Sequence, residues 1–261
     1  MIAEGSLKRK VFADVAERLA TARRVLFVTG AGISADSGLP TYRGIGGLYE
    51  DELTEDGLSI ETALSGEMLA LRPEVTWKYL HQIESACRGR CCNEAHRIIA
   101  RLESRFQICV LTQNIDGFHR QAGSSNVIEI HGDIHELYCI HCRDRRRVRD
   151  FAGMSIPPRC TCGGVMRPDV VLFGEYLPPS ATERLRHELT HGFDMVFTIG
   201  TGSVFPYIAA PVREAAVAGV PTVEINPGIT EVSALVDYRI KERAVTAMAG
   251  IERAVFAALG G

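Results

Sequence analysis

The sequence predicts an α/β protein: a doubly wound parallel sheet of the Rossmann type carrying two insertions, one helical and one held by metal. Three observations predict it. Short apolar, β-branched runs recur at 25–28, 106–111, 127–130, 195–199 and 220–225, each of strand length and each leading into glycine, asparagine, histidine or other polar turn residues. Stretches of helical period lie between them, the alternation that builds a parallel sheet covered on both faces. Two close cysteine pairs interrupt the pattern in a segment with few large apolar residues.

Taken in order, residues 7–23 place Leu7, Val11, Val15, Leu19 and Ala22 on about one helical face, so an amphipathic helix leads into the first strand. That strand runs into Thr29-Gly30-Ala31-Gly32-Ile33-Ser34. Glycines without Cβ let backbone N–H groups approach the phosphates of a dinucleotide, but the third glycine of the usual fingerprint is missing. An ordinary strand-to-helix turn fits this run equally well.

Residues 44–71 are rich in Gly, Asp, Glu and Thr and read as a loop with short helices, a lid. Pro73 opens a helix over 73–88, and Asn93 opens another to residue 104. The strand 106–111 ends in Thr112-Gln113-Asn114-Ile115-Asp116-Gly117, polar groups at the carboxyl edge where open α/β sheets collect ligands. The next strand ends in His131-Gly132 at the same edge. After the insertion 134–168 the pattern resumes, with a helix through Pro211 to Ala218, Asn226-Pro227 after the last strand, and a terminal helix over 244–259. The expected organisation is a nucleotide-binding domain from 1–43, 89–133 and 169–261, a helical lid at 44–88 and a metal-held insertion at 134–168.

Composition excludes several classes. A chain of 261 residues buries a core without staples. Its net charge of −3 provides no broad basic surface for nucleic acid. No apolar stretch approaches the roughly 18–20 residues needed to cross a bilayer, and Met1 to Lys10 holds no signal-type apolar region. A cytoplasmic location is the expectation.

Of eight cysteines, Cys139 and Cys142 form one close pair and Cys160 and Cys162 the other. Four thiolates enclose Zn²⁺ with no open position, which fits a structural role; unrelated thiols or a redox pair are the alternatives. The run from Arg143 to Arg147 reads as a solvated hairpin or as a patch for an acidic partner. His131 is either a candidate base, titrating near neutral pH, or a structural histidine. Asn114 and Asp116 offer the donors and acceptors that hold a carboxamide, such as that of nicotinamide, or they form an Asx turn.

Read together and in order, Gly30-Ala31-Gly32-Ile33-Ser34, Ser37-Gly38-Leu39-Pro40-Thr41-Tyr42-Arg43, Thr112 to His119, His131-Gly132, the four cysteines, Val170-Val171-Leu172-Phe173-Gly174-Glu175, Gly200-Thr201 and Asn226 resemble the sirtuins, NAD-dependent protein lysine deacylases. The resemblance implies that Gly30, Ala31, Gly32 and Ser34 approach the NAD phosphates and ribose, and that Tyr42 and Arg43 close over the nicotinamide-side ribose. Gln113 would contact that ribose, with Ile33, Asn114 and Asp116 forming the nicotinamide pocket. His131 resembles the family's general base. Gly200, Ser203 and Asn226 would hold the adenosine half, with Ala244 near the adenine. Val170, Phe173, Gly174 and Glu175 resemble the edge that pairs with a substrate peptide. The partners implied are acyl-lysine proteins or peptides, without membrane or direct nucleic-acid contact. The chemistry agrees: with a closed zinc and no serine triad motif, consuming NAD supplies the activated electrophile.

Three positions depart from the sirtuin pattern. Thr41 and Tyr42 replace the usual Asp and Phe. The turn over 200–206 is about one residue shorter. Members that prefer succinyl or malonyl lysine carry Tyr and Arg three residues apart on the helix after the lid, and counting from Trp77 to Asn93 puts Leu80 and Ile83 there. An acidic acyl chain would meet no cation, so uncharged acyl groups are expected: acetyl, crotonyl, lipoyl. ADP-ribosyl transfer to a protein and a non-enzymatic NAD-sensing module are the competing expectations.

Overall fold

The computed structural model describes residues 2–40 and 53–258, with side chains from residue 9. In chain order the strands are β1 (Arg24–Thr29), β2 (Gln107–Thr112), β3 (Val127–Glu129), β4 (Gly132–Cys139), β5 (Arg145–Arg147), β6 (Met166–Val170), β7 (Met195–Ile199), β8 (Thr222–Ile225) and β9 (Tyr238–Ile240). Six of them form one parallel sheet in the order β3-β2-β1-β7-β8-β9. The chain builds outward from β1 to β3 and then restarts at β7 on the other side of β1. Strand order therefore reverses between β1 and β7, and in open α/β sheets the carboxyl ends of the strands at such a point are where ligands bind.

Period-two alternation splits β1 between two cores. Val25 and Phe27 face Val15 and Leu19 of the helix Ile2–Thr21, Ile98 and Ile99 of the helix Glu94–Leu102, and Ile251 and Val255 of the helix Ala244–Ala258. Leu26 and Val28 face Leu185 of the helix Pro179–Thr190 and Ile208 and Val212 of the helix Pro206–Val217. Phe27 stacks on Phe197 of β7 at 4.7 Å.

The remaining three strands form a small antiparallel sheet, β5-β4-β6. Its apolar residues Ile134, Leu137 and Met166, with Phe151 from the chain between β5 and β6, are buried in one cluster with Trp77, Leu80 and Ile83 of the helix Pro73–Cys87. The cysteine segment thus shares its core with the helical segment that precedes it. Trp77 Nε1 donates to the Met166 carbonyl at 2.9 Å, and its ring lies 5.2 Å from Phe151.

Several boundaries differ from the sequence reading. The first helix starts at Ile2, and the helix expected from Pro211 starts at Pro206, because proline at the first helical position lacks only an N–H that has no partner there. Pro211 sits inside it and has no N–H to give the Tyr207 carbonyl. The helix Pro179–Thr190 and strand β9 leave no signal in the apolar pattern: the first has one buried residue, Leu185, and the second is a three-residue edge. The basic run forms the exposed β5 hairpin, with Arg145 bonded to Asp169 and Arg147 to Glu136 and Asp133. Among the described residues no helix is long and apolar enough to cross a membrane.

Candidate active site

The turns after β1 and β7 meet at the point of strand reversal. Gly30 N–H donates to the Ile199 carbonyl at 3.1 Å and Gly32 N–H to the Gly200 carbonyl at 2.8 Å. A Cβ on Gly32 would stand 2.6 Å from Gly200 Cα, and one on Gly30 2.7 Å from Thr201 Cβ, so the two turns pack backbone on backbone. Thr201 joins the polar groups around them. Its hydroxyl accepts from Gln113 Nε2 at 2.6 Å and from the Ser203 N–H at 3.1 Å, and its carbonyl accepts from Asn226 Nδ2 at 3.1 Å. Ser203 itself has φ of 54°, and its buried hydroxyl has no hydrogen-bond partner. An orphaned hydroxyl beside a glycine-lined cradle fits a pyrophosphate-bearing ligand such as NAD.

His131 follows β3 at the same edge. Its Nδ1 lies 3.0 Å from the Gln113 carbonyl and its Nε2 2.7 Å from the Tyr207 hydroxyl. A carbonyl only accepts, so Nδ1 carries the hydrogen of the neutral ring and Nε2 the lone pair. Burial lowers the His131 pKa below its ordinary value, and the Gln113 hydrogen bond opposes this only in part. The imidazole is therefore neutral and able to accept a proton near pH 7. Gly132 has φ of 85°, and a Cβ there would overlap the Asp169 carbonyl, which fixes the bend after His131.

Asn114 and Asp116 buttress the glycine turn from β2. Asn114 Nδ2 donates to the Gly30 carbonyl at 3.1 Å and to Ser34 Oγ at 3.3 Å. Asp116 Oδ2 accepts from Ser34 Oγ at 2.7 Å, and its Oδ1 accepts from the Phe118 N–H at 2.9 Å, closing an Asx turn. Burial pushes the Asp116 carboxyl up while these two bonds pull it down. Ile33 is fully buried and its carbonyl accepts from Asn93 Nδ2 at 2.7 Å. Behind the turn, His96 lies 3.5 Å from Ser34 Oγ and His119 Nε2 2.9 Å from Thr29 Oγ1.

The other expected site residues are more dispersed. Val170 is buried at the end of β6, where the Val171 N–H donates to the His131 carbonyl at 2.9 Å. Phe173 is paired through its N–H to the Leu64 carbonyl and through its carbonyl to the Gly66 N–H, both at 3.0 Å, while Gly174 is exposed. Glu175 is held by Arg167. Leu80 and Ile83 are 1% and 5% exposed within the core shared with the cysteine segment, which leaves them little surface for a ligand. Ala244 is buried at the start of the terminal helix. Ala31 opens the short helix Ala31–Ser34. Tyr42 and Arg43, with Thr41 and residues 44–52 of the expected lid, lie outside the described residues. The sequence reading missed Tyr207 as a partner of His131; a helix start at Pro206 is the signal that would have found it.

The sulfurs of Cys139, Cys142, Cys160 and Cys162 all lie within 4.8 Å of one another, with Cys139 to Cys162 at 3.5 Å and Cys142 to Cys160 at 3.6 Å. Tetrahedral Zn²⁺ with bonds of about 2.3 Å sets sulfurs about 3.8 Å apart. Four thiolates fill every position, so the cluster fits a closed structural zinc.

Fold and site together define a nucleotide-binding α/β protein with a half-buried neutral imidazole at the sheet edge and, at the far end of β4, a four-cysteine cluster that fits a structural metal. The family model described as "Sir2 family" matches residues 30–206. The chain is 50% identical over 241 residues to NAD-dependent protein deacylase 2 of Pseudomonas aeruginosa, covering 90% of this chain and 94% of that one. It is 35% identical over 227 residues to the NAD-dependent protein deacylase of Aquifex aeolicus, covering 86% and 92%. Among solved structures it resembles a Sir2 homolog–NAD complex, with a TM-score of 0.83 at 33% identity over 94% of both chains. A Sir2 variant bound to a deacetylated p53 peptide and 3′-O-acetyl ADP-ribose gives 0.81 at 28% identity over 96% and 98%. This chain belongs to the Sir2 family.

Proposed function

We propose that this chain is an NAD-dependent protein deacylase that removes acetyl and longer uncharged acyl groups from lysine side chains, releasing nicotinamide and O-acyl ADP-ribose. The observation that carries the reading is the state of His131, a neutral imidazole whose Nδ1–H is tied to the Gln113 carbonyl, which leaves Nε2 as the acceptor nitrogen at the edge where the glycine turns meet. Bound NAD supplies a nicotinamide–ribose bond whose cleavage offers the acyl oxygen an electrophilic carbon. Gly30, Ala31, Gly32 and Ser34 hold the phosphate side, Gly200, Ser203, Asn226 and Ala244 the adenosine side, and Tyr42, Arg43, Gln113, Ile33, Asn114 and Asp116 the nicotinamide side. His131 Nε2 is the final acceptor of the proton that a ribose hydroxyl gives up.

Val170, Phe173, Gly174 and Glu175 make the substrate-side edge, with Gly174 left to meet a peptide backbone because Phe173 is already paired. Leu80 and Ile83 bring no cation to their helix, and its Lys78 is held by Asp56 at 2.9 Å and Glu55 at 3.1 Å. A buried acyl carboxylate would lack a partner there. Residues 1–43, 89–133 and 169–261 act as the NAD-binding unit, 44–88 as the lid and 134–168 as the zinc-held unit. The protein works in the cytoplasm, away from membranes and nucleic acid.

The test is to incubate the zinc-loaded protein with NAD and matched acetyl-, crotonyl-, lipoyl- and succinyl-lysine peptides, following nicotinamide and O-acyl ADP-ribose by mass spectrometry. Product from the uncharged peptides, lost in His131→Ala, supports the reading. Succinyl removal faster than acetyl removal overturns its acyl part. NAD consumption with added mass on an acceptor protein indicates ADP-ribosyl transfer; intact NAD with every peptide indicates a sensing module.

A further inference from the structure

His131 has one free lone pair, and Tyr207 occupies it. Pro206 starts its helix, placing Tyr207 in the first turn with its phenol oxygen 2.7 Å from Nε2. The phenol ring is held on two sides. It stacks on Phe205 at 5.5 Å and 14°, and its body packs against the core of Leu26, Val28, Ile208 and Val212. Both aromatic rings stand edge-on to the imidazole, with centroids 5.9 Å away. Since Nδ1–H is committed to the Gln113 carbonyl, the Tyr207 hydroxyl is the donor to Nε2.

A substrate hydroxyl cannot share that single lone pair with a phenol held in place. The phenol oxygen, however, keeps lone pairs of its own. We propose that Tyr207 completes the base as a proton relay: a substrate hydroxyl gives its proton to the Tyr207 oxygen while the phenolic proton passes to His131 Nε2. The phenol ends neutral, the imidazole ends as a cation, and the substrate oxygen keeps the electron pair. This inference rests on the reading of His131 as the general base. Burial holds the Tyr207 pKa above its ordinary value, so the phenol keeps its proton across the working pH range.

A donor on Nε2 stabilises the neutral ring, so removing it raises the pKa of His131. The surrounding charges are already engaged. Glu129 is paired with Arg120, Asp133 with Arg147, Asp169 with Arg145 and Glu175 with Arg167. Arg213 and Glu214 of the Tyr207 helix are exposed.

The experiment compares wild type, Tyr207→Phe, His131→Ala and a protein carrying a fluorinated tyrosine of lower phenol pKa at position 207. In the ligand-free protein, nitrogen NMR of His131 is expected to show the Nε2 lone-pair tautomer, with a midpoint raised by about half a unit or more in Tyr207→Phe. With NAD and acetyl peptide, Tyr207→Phe is expected to lose about 10²-fold in kcat with KM for both substrates within about threefold. The acid limb of its pH profile should move up by the same amount as the NMR midpoint. A Tyr207→Phe rate at the wild-type level, or a fluorotyrosine rate that does not change with phenol acidity, overturns the relay. Should Tyr207→Phe not fold, the fluorotyrosine protein decides alone. Inactive His131→Ala with fully active Tyr207→Phe rejects the relay and keeps the base; active His131→Ala rejects the base itself.

Discussion

Arg167 and Glu175 form a two-pronged ion pair, Nη1 to Oε1 at 2.6 Å and Nη2 to Oε2 at 2.9 Å, with the Arg167 side chain 9% exposed. The pair closes the loop after β6. Glu175 Oε2 also accepts from the Leu172 N–H at 2.9 Å, and Arg167 Nη2 also donates to the Val170 carbonyl at 2.8 Å. Burial alone would raise the Glu175 pKa, but the Arg167 and Leu172 hydrogen bonds outweigh it and hold the carboxylate below its ordinary value. Glu175 thus shapes the proposed peptide edge from within.

Removing one partner of this pair leaves the other charge half-buried and alone. We expect Arg167→Ala to destabilise by about 3 kcal/mol, and Glu175→Gln by less, because Gln keeps an acceptor for Leu172. Urea denaturation checks the first number, and a rise in peptide KM in Glu175→Gln checks the second role. The pair's stabilisation is present above the ordinary Glu pKa and is lost as pH falls through the lowered one.

Metal removal should be visible at Trp77, the chain's single tryptophan. It is fully buried in the core shared by the helix Pro73–Cys87 and the cysteine segment, bonded to Met166 and packed on Phe151. Chelating the zinc, or Cys139→Ser, is expected to red-shift Trp77 emission and lower the melting temperature by several degrees, on the order of 1–3 kcal/mol. An unchanged emission spectrum after complete zinc loss, measured by metal analysis, would show that the shared core stands without the metal.

Two buried histidines make stability depend on acid. Burial lowers His96 to about 4 and drives His119 well below its ordinary value. Their unfolded forms bind protons first, so stability holds above pH 6.5 and falls as pH drops toward the folded values. The His96 contribution lost by about pH 4 is at most about 3 kcal/mol. Denaturation between pH 7.5 and 5 should show the decline in wild type and a shallower one in His96→Gln.

The close approach of the two glycine turns leaves no room for a methyl group. Gly32→Ala is expected to cost roughly 1–3 kcal/mol, since its Cβ would meet the Gly200 backbone and not the end of a flexible side chain. NAD binding by calorimetry should fall with it. A variant that binds NAD as tightly as wild type would mean the turn relaxes without disturbing the cradle.

Much of this protein was determined by sequence alone. The apolar runs specify β1, β2, β3, β7 and β8 because a strand buried on both faces needs β-branched and aromatic residues throughout. The four cysteines declare their site by spacing, since thiolates a few residues apart suit one small ion. Gly30, Gly32, Asn114, Asp116 and His131 all follow strands of one parallel sheet, so strand order alone brings them to one edge.

Only the tertiary structure decided the pairings between segments distant in the chain. Tyr207 meets His131 across 76 positions, Gln113 meets Thr201 across 88, and Trp77 meets Met166 across 89. Local period and propensity do not encode such contacts. A buried donor takes whichever acceptor the packed sheet sets beside it, and an apolar segment too small for its own core takes the nearest helix that exposes one.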